Sequence, residues 1–286
     1  MAESENKTIT IESIPYYVLL EGPHDGPLVI LIHALMSNHR IWDHTVATLH
    51  TSGYRTLRYD HIGHNLTPPP ADAQRNKPGC FNFDDFCRHL HTIIDTVAPG
   101  ITPAALIGCS IGGVLVLRYH MLYPPSEGKV TKVISCAAPG LTSLDASKPK
   151  WKARIQQWKD EGGNEELVKQ TFERWFPEPL PEGFDKERAL SIVKSCSLEG
   201  YEICVWATMN FDYTGELGRI RDGQNVMILA GENDGNIGPR EVLVDVHEKL
   251  PGSRYVLMEG TGHIPPMHWP ERFEKIVLEF LGKASG

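Results

Sequence analysis

Two periods of apolar and polar positions alternate along the chain, and the switches between them lay out a series of elements. Residues 8–11 (Thr-Ile-Thr-Ile) alternate one by one, and with the run 16–20 they predict two opening antiparallel strands. Residues 28–32 (Leu-Val-Ile-Leu-Ile) contain no polar position, the pattern of a central strand covered on both faces. A helix over 42–51, a strand over 54–59 and a helix over 84–97 with Asn82 as its cap come next. Ala104-Ala105-Leu106-Ile107 then leads into Gly108-Cys109-Ser110-Ile111-Gly112, and a proline-free stretch over 113–119 leads away from it. A further strand is expected over 132–136.

The alternation pauses between 140 and 215. This stretch is rich in helix formers, is broken by Pro177, Pro179 and Pro181, and carries Trp151, Trp158, Trp175 and Trp206. It reads as a helical cap inserted into a core made of residues 1–139 and 216–286. Alternation resumes with a strand over 225–230, a helix over 239–249, a strand over 254–258 and a helix over 270–281. Strands alternating with helices predict an α/β fold with a mainly parallel, doubly wound sheet. Ligands of such sheets bind beyond the carboxyl ends of the strands.

Size and composition narrow the function classes. At 286 residues the chain fits one large α/β domain with a modest insertion. A formal charge of −8 opposes a nucleic-acid partner, whose phosphates select basic surfaces. The polar, acidic start is no secretory signal, and no apolar run is long enough to span a bilayer, so no membrane partner is expected. Six cysteines without CxxC pairs fit a reducing, cytoplasmic setting. No grouping of His, Cys, Asp and Glu has zinc-site spacing; His89 and His91 read as part of a solvated helix face. No cofactor or metal is expected, and the oligomeric state is left open.

The pentapeptide around Ser110 is G-x-S-x-G between a strand and a helix, the setting in which it forms a nucleophile elbow. A serine hydroxyl needs a base at neutral pH, and histidine suits that task. Position selects His263, in the glycine-bracketed loop Glu259-Gly260-Thr261-Gly262-His263 after the last strand. A third group must hold the imidazole in the right tautomer. Asp234 fits, in Gly231-Glu232-Asn233-Asp234-Gly235; Glu232 lies closer to the strand end and reads as a brace for the loop. The amide of Ile111, directly after the nucleophile, is expected to face a developing oxyanion.

These residues resemble the α/β-hydrolase superfamily over nearly the whole chain, including its Ser…Asp…His order, and within it the 3-oxoadipate enol-lactonase family. The closer likeness rests on Ile41-Trp42-Asp43, on Glu173-Arg174-Trp175-Phe176, and on Glu199-Gly200-Tyr201-Glu202-Ile203-Cys204 with Phe211-Asp212-Tyr213. The superfamily's His-Gly-x-Gly loop corresponds to His33-Ala34-Leu35-Met36, which implies Leu35 as the second oxyanion donor. Ala34 and Met36 stand where glycines are usual, and Met36 is expected to project into or over the site. Asp60-His61-Ile62-Gly63-His64 resembles the superfamily's Asp-x-x-Gly-His turn and is read as structural, as is His33.

The resemblance implies a serine hydrolase acting on a small-molecule lactone or carboxylic ester through an acyl-enzyme. An anionic lactone needs a cation, from Arg154 or Arg174; the tryptophans at 151, 175 and 206 point to a bulkier apolar ester. Substrate polarity is therefore open. The same three residues serve C–C bond hydrolysis, thioester hydrolysis, acyl transfer or cyclisation equally well, and a non-catalytic receptor is a more distant alternative.

Overall fold

A computed structural model describes residues 3–129, 131–235 and 238–282. The chain opens with a hairpin of β1 (Glu3–Ile11) and β2 (Ile14–Gly22). Glu12 and Ser13 both take positive φ there, as a two-residue hairpin turn requires. β3 (Leu28–Ile32), α1 (Asp43–Thr51), β4 (Arg55–Tyr59), α2 (Phe83–Val97), β5 (Ala105–Cys109), α3 (Ile111–Leu122) and β6 (Lys132–Cys136) follow in strict alternation after the hairpin. Four helices then intervene: α4 (Lys148–Glu161), α5 (Glu165–Trp175), α6 (Lys186–Lys194) and α7 (Leu198–Met209). β7 (Val226–Gly231), α8 (Arg240–Glu248), β8 (Arg254–Met258), α9 (Pro265–His268) and α10 (Pro270–Leu281) complete the described chain.

The eight strands form one sheet in the order β1-β2-β4-β3-β5-β6-β7-β8. β1, β2 and β4 pair antiparallel, and every pair from β4 to β8 is parallel. Every residue of β3, β5 and β7 is buried, which explains why those segments lack polar positions. β8, at the edge, is only half-buried. The chain leaves β3 toward β4 on one side and returns to β5 on the other. This reversal opens a crevice at the carboxyl ends of β3 and β5, where doubly wound sheets place their ligands.

The helices α4–α7 dock on that edge. Asn65 N–H donates to Ser195 O (2.8 Å), Ser197 N–H to Gly63 O (2.8 Å), and Asn38 Nδ2 to Ser195 Oγ (2.9 Å). The junction of α6 and α7 is thus tied to the turn after β4 and to the loop after β3. Asn82 caps α2 by accepting from Asp84 and Asp85, whose carboxylate accepts in return from Asn82 N–H. One expectation fails on this helix. His89 is not solvated: it is buried, its Nδ1 lies 2.7 Å from Tyr16 Oη, and its ring packs edge-on to Tyr16. His91 does sit at the surface, stacked on Tyr123. Among the described residues no helix is long and apolar enough to cross a membrane.

Candidate active site

Ser110 ends β5 and caps α3 with φ +57° and ψ −117°. A non-glycine residue held in so sparsely populated a region costs about 1–3 kcal/mol. The two glycines of the pentapeptide make the turn possible by close approach: a β-carbon on Gly108 would stand 2.0 Å from Gly112 O, and one on Gly112 would stand 2.3 Å from Ile32 O. Ser110 N–H donates to Cys136 O at 2.8 Å, which pins the turn to β6. Ser110 is thereby held at the crevice, where it lines the cavity.

His263 and Asp234 lie on the loops after β8 and β7. His263 Nδ1 donates to Asp234 Oδ2 at 2.6 Å, and both side chains are almost fully buried. With its Nδ1 proton so engaged, a neutral His263 carries its lone pair on Nε2. Gly238 N–H also donates to Asp234 Oδ2. Asn233 N–H donates to Thr261 O at 2.9 Å, bringing the two loops together. Glu232 is exposed and accepts from Gly260 N–H at 2.8 Å, the bracing position expected of it.

Ser110 and His263 line one cavity, with Leu35, Met36, Ile111, Pro139, Trp151, Arg174, Trp175, Tyr201 and Thr208. No hydrogen bond joins Ser110 and His263 among the described residues; such contacts commonly tighten only when substrate binds.

The loop after β3 is a four-residue turn, closed by Ser37 N–H to Ala34 O at 3.2 Å. Met36, its third residue, has φ +58°, a position that favours glycine. Met36 N–H donates to His64 Nε2 at 3.2 Å. Neither Leu35 N–H nor Ile111 N–H has a hydrogen-bond partner among the described residues, so both stay available at the cavity wall. Below the loop, His33 Nδ1 donates to Ala34 O (2.8 Å), His61 N–H donates to His33 Nε2 (2.9 Å), and His61 Nε2 donates to His33 O (3.0 Å). The two bonds in which a ring nitrogen accepts, from His61 N–H to His33 Nε2 and from Met36 N–H to His64 Nε2, require those rings to be neutral. Burial supplies that: it holds His33 well below the usual histidine range, His61 at about 3 and His64 at about 4. Asp60 is spent on the same turn, accepting from His39, Asn65 and Leu66.

The two arginines part company. Arg154 stays out of the cavity wall; its Nε donates to Tyr201 Oη (3.2 Å) and its Nη2 to Thr171 Oγ1 (2.5 Å). Arg174 lines the cavity, its Nε is buried without a partner, and among the described residues it forms no ion pair. Burial, with Arg154 nearby, brings it down to about 10, so it is cationic at neutral pH. Trp151, Trp175 and Met36 line the cavity. Trp206 does not: it faces the segment at Gly79. The reason is helical phase. Tyr201 and Thr208 are seven residues apart on α7 and share a face, whereas residue 206 points about 140° away from residue 201 at 100° per residue. Tyr201, Thr208 and Pro139 are cavity residues that sequence reasoning missed, and the first two were findable from that seven-residue spacing. Among the described residues no group of three or more His, Cys, Asp or Glu side chains is arranged to hold a metal ion.

A family model described as the alpha/beta hydrolase fold matches residues 27–177. A putative carbamate hydrolase RutD of Pseudomonas savastanoi pv. phaseolicola is 24% identical over 257 residues, covering 90% of this chain and 94% of the relative. 3-Oxoadipate enol-lactonase 1 of Acinetobacter baylyi is 22% identical, over 97% of this chain and 94% of its own length. An esterase structure from Exiguobacterium antarcticum superposes with a TM-score of 0.82 at 21% identity, covering 98% of this chain and all of its own.

Proposed function

The chain is an enzyme of the α/β-hydrolase fold family, and from that premise we propose that it opens a lactone or cleaves a carboxylic ester, through an acyl-enzyme on Ser110, and that its substrate carries a carboxylate. The observation that carries the reading is the 2.6 Å bond from His263 to Asp234 beside a cavity that Ser110 also lines. In the first step Ser110 Oγ adds to the carbonyl carbon and its proton passes to His263 Nε2. Asp234 stabilises the imidazolium that forms. The carbonyl oxygen becomes an oxyanion facing the amides of Leu35 and Ile111; each such donor is worth about 3–4 kcal/mol where measured. Collapse breaks the C–O bond, and His263 returns the proton to the leaving oxygen. In a lactone that oxygen stays on the acyl chain. Water, deprotonated by His263, then releases Ser110 by the same sequence in reverse.

The unpaired guanidinium of Arg174 favours a carboxylate on the substrate. A half-buried cation whose Nε is shut off from water without a partner is costly, and a carboxylate entering the cavity supplies the missing partner through charge-assisted hydrogen bonds. The names of the relatives, an enol-lactonase, an esterase and a putative carbamate hydrolase, lend support to acyl chemistry of this kind.

The test combines labelling and turnover. Wild-type protein is expected to react with a fluorophosphonate at Ser110 and to hydrolyse p-nitrophenyl esters and small lactones. Ser110→Ala should lose at least about 10³-fold in kcat while still binding substrate. A variant that keeps more than a few per cent of activity would remove Ser110 from the mechanism. Adding alcohol acceptors separates hydrolysis from acyl transfer by the product formed.

A further inference from the structure

Tyr201 of α7 has its hydroxyl bonded on one side only. The residue is fully buried, and its ring packs against Trp158 with centroids 5.4 Å apart. Arg154 Nε donates to its oxygen at 3.2 Å. A guanidinium has donors and no lone pair, so in this bond the phenol can only accept. Its own proton must go elsewhere, and among the described residues no acceptor lies within hydrogen-bond distance of it. Burial raises Tyr201 above the usual tyrosine range, so the proton stays on the oxygen in neutral solution. Tyr201 lines the cavity, and that proton is left for whatever enters there.

Two neighbours on the same cavity are in the same condition. Arg174 Nε and Trp175 Nε1, at the end of α5, are buried donors without partners. Arg174 and Tyr201 stand within electrostatic range, since each alters the other's ionisation. Buried polar groups are bonded in the great majority of cases, so unmade bonds gathered around one cavity point to an occupant. All three groups are donors, and one is cationic. An ionised carboxylate only accepts, and its two oxygens take about four hydrogen bonds. A neutral carbonyl would accept as well but would leave the charge of Arg174 unanswered.

We propose that Tyr201 is a second anchor for the substrate carboxylate: its hydroxyl donates to the group that Arg174 pairs with, and Arg154, outside the cavity, is the positioning residue that keeps that proton free for it. Thr171 Oγ1 accepts from Arg154 Nη2 at 2.5 Å, which steadies the guanidinium. The inference rests on the reading that the substrate carries a carboxylate. It divides recognition between α5 and α7, so that the bound anion ties two cap helices together.

The experiment compares two esters of equal length, the mono-p-nitrophenyl ester of a dicarboxylic acid and the matching p-nitrophenyl alkanoate. Tyr201→Phe keeps the ring and removes the proton. KM for the anionic ester should rise about 10-fold, the lower end of what a hydrogen bond to a charged group is worth. KM for the alkanoate, and kcat for both, should stay within threefold. Arg154→Met should raise the anionic KM at least threefold, and Arg154→Lys, which keeps a donor for the phenol oxygen, should restore most of it. In the Tyr201→Phe background Arg154→Met should add less than twofold, because no phenol remains to orient. An equal Arg154→Met loss in both backgrounds overturns the proposal, since Arg154 would then act through its charge alone. So does a Tyr201→Phe effect that is the same for both esters, or below twofold for the anionic one. Should Tyr201→Phe fail to fold, Arg154→Met is set against Arg154→Lys, and equal anionic KM values for the two overturn it. Arg174→Met separates this inference from the one beneath it. If Arg174→Met shifts the anionic KM and Tyr201→Phe does not, only this inference fails; if neither shifts it, the carboxylate reading fails too. If wild-type protein turns over neither ester, the hydrolase reading falls and calorimetric titration with the anionic ester decides. A Kd about 10-fold weaker in Tyr201→Phe is then expected, and an unchanged Kd, or no binding to wild type, overturns the proposal.

Discussion

The backbone amide of His263 donates to the carbonyl of Trp175 at 3.0 Å, and the indole of Trp175 lies against the imidazole with ring centroids 5.8 Å apart. The candidate base is therefore positioned from two directions: by Asp234 from the core and by the last residue of α5 from the cap. Arg174, beside Trp175 in the chain, lines the same cavity. Whatever displaces the end of α5 displaces the base and the cation together.

That coupling makes Gly262 a sensitive position. A β-carbon there would stand 2.3 Å from Trp175 O and 2.4 Å from Pro177 Cδ. Neither atom can yield without moving the α5 terminus. Gly262→Ala is expected to lower kcat by about 100-fold, the scale of a 1 Å misplacement of a catalytic group. Steady-state kinetics and the rate of fluorophosphonate labelling check it. A labelling rate within twofold of wild type would show that the cap contact does not position His263.

Asp234→Asn tests the other direction. The amide keeps the shape but can offer its NH2 to His263 Nδ1, favouring the wrong tautomer. A fall in kcat of about 10²–10⁴-fold is expected, with Tm changed by only a few degrees. An equal loss from Asp60→Asn would point to a general effect of disturbing buried carboxylates, because Asp60 holds the turn after β4 and does not touch the cavity.

Arg174 makes the substrate prediction. Arg174→Met keeps much of the length and removes the charge. With a carboxylate-bearing ester, KM should rise by about 10- to 100-fold, the worth of a charged hydrogen bond. KM for a neutral ester of the same size should stay within threefold. Equal changes in KM for the two esters would exclude Arg174 as the carboxylate's partner.

What was legible in the sequence follows from where each residue sits. Ser110, Asp234 and His263 come just after β5, β7 and β8, and the ends of buried strands are marked by a change of period. A parallel sheet then puts those ends on one edge. The cap offers no such guide. α7 is buried on nearly every side, so no polar face reveals its rotation, and Trp206 was expected at a wall that Tyr201 and Thr208 form instead. Arg154 and Arg174 were indistinguishable for the same reason, since their roles depend on how α4 and α5 pack. His89 was misjudged because its burial depends on a partner 73 residues away, the hydroxyl of Tyr16.

The buried histidines behind the oxyanion turn predict how stability depends on pH. His61 and His64 are held at about 3 and about 4 in the folded protein, first by burial and next by neighbouring positive charge for His61. In the unfolded chain they titrate near 6.5. Between about pH 6.5 and pH 4 the unfolded chain therefore binds protons that the native state refuses, and stability must fall as pH falls through that window. Two such groups give a slope of about 3 kcal/mol per pH unit, and His33, shifted down by burial in the same way, adds to it. Urea unfolding at half-unit steps from pH 4.5 to 7.5 should show uptake of at least two protons on unfolding, and His64→Gln should reduce that number by one. Uptake of less than one proton would mean that these rings are charged in the native protein, and the hydrogen bonds from Met36 to His64 and from His61 to His33 could not then both hold.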